Sequence, residues 1–160
     1  MGHPSLGEAP LDPSAAFPEA AARLRANSDT VASRALESAV KRDPTLVTRH
    51  DELGLRHLLR DTGVYVERLA LSVGSGRTAY PAEWTDWCAP LYRRRRVPMD
   101  DLISISEGLR AAVRSFLGPD EMTIADEAID GAIRSLRWNR RIAGDARKRN
   151  RLLAAIYKGA

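Results

Sequence analysis

Apolar residues in this chain recur at helical intervals from Pro18 onward, and no segment alternates with period two for long enough to make a strand. An all-α fold follows, either a helical bundle or a globin-like stack of about five to six helices, one of them a long C-terminal helix. Short connections between helices of this length favour antiparallel neighbours. At 160 residues the chain is long enough for one real core. Residues 1–17 carry Pro4, Pro10, Pro13, Gly2 and Gly7 and read as a flexible leader, leaving residues 18–160 as a single helical domain.

The helices are punctuated by recognisable stops. A first helical region spans Pro18 to Arg42, interrupted near Asn27–Asp29, and ends at Asp43-Pro44 because the residue before proline is pushed out of the α region. A second runs from about Asp51 to Val73 on the stripe Leu55, Leu58, Leu59, Val66, Leu69 and Val73, stopped by Gly74-Ser75-Gly76. A third opens at Pro81, and Pro90 inside it predicts a kink or a break. A fourth covers about Pro98 to Leu117, with Asp100 and Asp101 placed to complement its dipole. The last starts near Asp120 with Ala125, Ala128, Ile129, Ala132, Ile133 and Leu136 on one face, then turns basic from Arg134 to Lys158.

Three groups of residues are candidates for function. Leu109, Val113, Ile129, Ile133 and Leu136 are expected to hold the core or a dimer seam. Arg137, Arg140, Arg141, Arg147 and Lys148 present a cationic face to a partner. Trp84, Trp87 and Tyr92, with His57 near the apolar face of the second helix, are candidates for the wall of a small-ligand pocket. The four arginines at 93–96 read as cations at a helix end, or as a phosphate or carboxylate site.

The chemistry of enzymes is missing. No nucleophile motif stands in a strand-turn-helix context, and Gly74-Ser75-Gly76-Arg77-Thr78 lacks the Gly-Lys-Ser/Thr ending of a phosphate loop. The expectation is a non-enzyme with no catalytic residue, no metal site and no cofactor, haem on His57 being the alternative. The lone Cys88 reads as a small buried hydrophobe and points to a reducing, cytoplasmic setting. No apolar run approaches the roughly 20 residues needed to span a bilayer, so no membrane partner is expected. The net charge of +4 leaves nucleic acid as a less favoured partner, bound through the basic C-terminal helix.

The strings W-x-x-W-C-A-P-L-Y-R-R-R (Trp84–Arg95), V-P-M-D-D-L (Val97–Leu102), E-G-L-R-x-A-V (Glu107–Val113) and W-N-R-R-I-A-G-D-A-R-K-R-N (Trp138–Asn150) carry a resemblance. They resemble the N-terminal sensory domain of RsbR-type stressosome co-antagonists, in the actinobacterial version that precedes PucR-like regulators. The resemblance implies a haem-free globin-like fold, a homodimer built by the last helices, and bacterial signalling linked to transcription regulation through a regulatory protein partner.

Overall fold

The computed structural model describes residues 16–143. Among them the chain forms seven helices: α1 (Pro18–Ala26), α2 (Ser28–Arg42), α3 (Leu46–Arg49), α4 (Glu52–Ser75), α5 (Tyr80–Arg94), α6 (Met99–Val113) and α7 (Pro119–Ala143). No strand occurs among the described residues, and the architecture is all-helical and globin-like.

Local chemistry sets most of the boundaries. Asp51 caps α4 by accepting a hydrogen bond from the Gly54 amide at 2.7 Å. Gly76 ends the same helix in the left-handed region, at φ 76°, where glycine carries no Cβ penalty. Pro90 lies inside α5, and the helix runs through it without a break. Its ring is exposed, and of the expected kink or break no break occurs. The short α3 has no stripe to announce it. It exists because Leu46, fully buried, anchors it to the body.

α2 packs most extensively on α6, and their crossing is close at Gly108, where a Cβ would overlap the Ala35 carbonyl oxygen. α5 packs along α7, with Ala82 beside Gly131 and Thr85 beside Ser135. Those pairs advance together along both helices, so α5 and α7 run parallel, with α6 as the return between them.

The apolar interior divides in two. One cluster gathers Leu24, Val31, Leu69, Leu109, Val113, Ile129 and Ile133 between α1, α2, α4, α6 and α7. The other gathers Leu46, Leu58, Cys88, Tyr92, Met99 and Leu136 around α3 and the C-terminal end of α5. Trp84 and Ile103 touch both.

Candidate functional site

The seam where α4 meets α5 holds most of the chain's unusual side chains. Tyr65 on α4 and Trp84 on α5 stack at 5.1 Å between ring centroids, tilted by 41°. One turn further along the seam the Tyr92 hydroxyl donates to Asp61 Oδ2 at 3.1 Å, and Arg95 approaches the same carboxylate at 3.5 Å. Cys88 lies between these levels and is 6% exposed. Burial, reinforced by the Asp61 carboxylate, pushes its thiol up to about 11, against the pull of Arg68 and Arg95. Trp87, its neighbour in sequence, turns outward and is 70% exposed.

Arg68 on α4 carries one of three buried side-chain groups without a hydrogen-bond partner among the described residues, beside Ser72 on the same helix and Arg93 on α5. The Arg68 group is its Nε. A buried guanidinium nitrogen without an acceptor within the fold is costly.

Behind the seam is an enclosed cavity of about 10 Å³ lined by Leu58, Thr62, Tyr65, Trp84, Thr85 and Tyr92, with Leu102, Ile105 and Leu136 closing the far side. That is room for about one water molecule. Trp84 and Tyr92 therefore do line an interior pocket, whereas Trp87 and His57 do not. No histidine reaches the cavity, and its size excludes a haem, so the axial role considered for His57 has no geometry behind it.

The remaining candidates fall into two sets. Leu109, Val113, Ile129, Ile133 and Leu136 are all buried inside the monomer and belong to its own core. Arg137, Arg140 and Arg141 are exposed on the outer side of α7, where Arg140 pairs with Asp100. Arg147 and Lys148 lie outside the described residues. Among the described residues no group of three or more metal-ligating side chains comes together.

One buried charge escaped the sequence reading. Asp101, expected only to complement a helix dipole, is fully buried and receives Arg49 and, at 2.7 Å, His50 Nε2. Arg49 extends the network to Asp43 at 2.7 Å. These partners come from the short α3 segment about fifty residues away in sequence, so no local pattern could have disclosed them. The paired spacing of an acid-rich helix start and an Arg-His dipeptide was the only available signal.

A family model described as phycobilisome protein matches residues 11–136. No curated protein matches the chain. The family match overturns the resemblance to stressosome sensory domains, and with it the sensory, signalling and transcription-regulating role. It also overturns the expectation of no cofactor, because phycobilisome proteins bind covalent bilin chromophores. A regulatory protein partner gives way in the same manner, since such proteins assemble into oligomers with other phycobiliproteins. Among the described residues no helix is long and apolar enough to cross a membrane. A match that spans most of the chain, on an all-helical globin-like body, decides the matter: this chain belongs to the phycobilisome protein family.

Proposed function

We propose that this protein is a non-enzymatic, chromophore-binding subunit of the light-harvesting kind, and that the α4–α5 seam is its ligand face. The reading is supported by family membership and carried by one structural observation, the buried and unpartnered Nε of Arg68 beside the chain's lone thiol.

A linear tetrapyrrole held as a thioether makes three demands. It needs a thiol, apolar surface of drug-like extent, and charged groups to meet its carboxylates and pyrrole nitrogens. Cys88 is the thiol, Trp84 and Trp87 offer aromatic surface, Arg68 offers a cation, and Asp61 offers an anion. These residue types fit the group. The enclosed cavity of about 10 Å³ does not, and Cys88 is buried in the core, so attachment requires the seam to open toward its outer side, where Trp87 is exposed. When bound, the group would supply absorption of visible light.

The chain's own residues then have distinct tasks. Arg68 receives a carboxylate, Asp61 holds Tyr92 and Arg95 in place, and Trp87 covers the apolar edge from water. Cys88 keeps its proton at neutral pH, because burial disfavours the thiolate. Assembly with other phycobiliproteins and a cytoplasmic setting belong to the same reading.

The test is a fluorescence titration of the full chain with biliverdin, a free linear tetrapyrrole. Binding should quench tryptophan emission, and Arg68→Ala and Trp87→Ala should each weaken it about tenfold, the loss expected when a charge-assisted or aromatic contact is removed. Saturable quenching that neither variant weakens would place the ligand elsewhere. No quenching at all would remove the proposal.

A further inference from the structure

At the C-terminal end of α5, just beyond Tyr92, the chain leaves the helix through a turn with an unusual occupant. Arg96 has φ 60°, the only non-glycine residue among those described with a positive φ. The Val97 amide donates to the Tyr92 carbonyl at 2.9 Å and the Arg96 amide to the Arg93 carbonyl at 3.0 Å. This is the two-bond closure in which the left-handed position is ordinarily glycine. An arginine there carries backbone strain that glycine would not, and strain of this kind is retained where the side chain has work to do.

Arg93, in the last turn of α5, adds a second and independent observation. Its Nη2 donates to the Asn139 carbonyl at 3.1 Å and to Asn139 Oδ1 at 2.9 Å, both neutral oxygens. Its Nε is buried with no partner. Burial lowers its proton affinity, and no carboxylate among the described residues offsets that effect. The nearby acids are already engaged. Asp61 holds Arg60, Arg95 and the Tyr92 hydroxyl, Asp100 holds Arg140, and Asp86 accepts from Ser135 and Asn139. Arg94 and Arg96 are exposed beside it, and the Arg93–Asn139 contact brings Arg140 and Arg141 of α7 to the same pole.

Cations do complement the negative end of a helix, and α5 ends here. That accounts for positive charge near the helix end. It does not account for a strained arginine where glycine would serve, nor for a buried guanidinium nitrogen facing no acceptor.

We propose that the Arg93–Arg96 turn, with Arg140 and Arg141 flanking it, is an oxyanion-binding site for a phosphate-type group. Arginine's planar fork matches phosphate oxygens, and the missing acceptor of Arg93 is what such an oxygen supplies. The source is a free phosphate ester or the headgroup of an anionic lipid. This site adjoins the α4–α5 seam through Arg95, which pairs with Asp61, but does not depend on the chromophore reading.

The experiment uses the full chain. Pyrophosphate is titrated at constant ionic strength against a sodium chloride control, by calorimetry and by thermal unfolding. In parallel, co-sedimentation is measured with phosphatidylcholine vesicles with and without phosphatidylglycerol. Saturable binding should raise the unfolding midpoint by several degrees, because a ligand that favours the folded state stabilises it. Arg96→Gly is the decisive variant. It should unfold at the same temperature as the wild type or higher, since the strain is gone, yet bind about tenfold more weakly, the loss expected for one charge-assisted contact. Arg93→Gln should lose binding as well. Binding to pyrophosphate assigns the site to free phosphates, and binding confined to phosphatidylglycerol vesicles assigns it to lipid headgroups. A midpoint shift no larger than the chloride control, with no vesicle binding, overturns the proposal. So does an Arg96→Gly protein that binds as tightly as the wild type.

Discussion

Asp101 and Cys88 show how differently two buried polar residues can be held. Asp101 is fully enclosed yet satisfied by Arg49 and His50, which fasten α3 to the start of α6. Replacing it with asparagine removes the buried charge facing Arg49 and leaves one acceptor oxygen where there were two, so Asp101→Asn should cost about 3 kcal/mol in urea unfolding. A change within experimental error would mean that the network holds nothing. Cys88 has no such partner, and burial with Asp61 nearby pushes its thiol up to about 11. Iodoacetamide should therefore label it slowly at pH 7, faster as pH rises toward that value, and rapidly once the chain is unfolded. Fast labelling of the folded protein at pH 7 would contradict its placement. Modification of this thiol by any electrophile waits for the α4–α5 seam to open.

Among the elements, the tightest constraint is the α2–α6 crossing. Gly108 lies under the Ala35 carbonyl, and a Cβ there would also stand 3.1 Å from the Ala35 carbonyl carbon and 3.2 Å from the Ala39 amide nitrogen. Those are backbone atoms and cannot swing aside, so Gly108→Ala should destabilise by about 2 kcal/mol, as overpacking does. Its unfolding midpoint compared with that of Gly63→Ala, a site with open space around it, provides the check. The helices with clean stripes were legible from the sequence: α2, α4 and α6 lie within a few residues of where periodicity puts them. What stayed hidden depended on contacts distant in sequence. α3 is too short to show a period and is held by Leu46 and the Asp101 network. The packing of α5 against α7 is a matter of tertiary contacts, and Pro90 lies inside α5 without ending it. At the candidate site, Trp84 and Tyr92 border the small cavity while Trp87 and His57 do not, and Arg68 was not foreseen, since an unmet donor is visible only once its surroundings are folded.

For the whole molecule, three buried proton donors set the response to alkali. Burial raises Cys88 from 9.0 and Tyr65 and Tyr92 from 10.0. The unfolded chain thus gives up these protons first as pH climbs. Above about pH 9 it binds fewer protons than the fold does, and stability falls with each further step. The stabilisation is complete below the unfolded values and is lost as pH rises through the folded ones. Urea midpoints measured from pH 8 to 11 should decline, and Tyr92→Phe should flatten part of that decline; a level profile would refute the burial assignments.

The same body is read as a light-harvesting subunit, and the most direct test is covalent attachment at Cys88. The full chain and Cys88→Ala would each be produced in cells that make bilins, then compared by intact mass and visible absorption. The account predicts a single bilin-sized mass increment and a visible band in the wild type, both absent from Cys88→Ala. A wild-type protein of unmodified mass and no visible colour, from cells shown to contain the bilin, would contradict it.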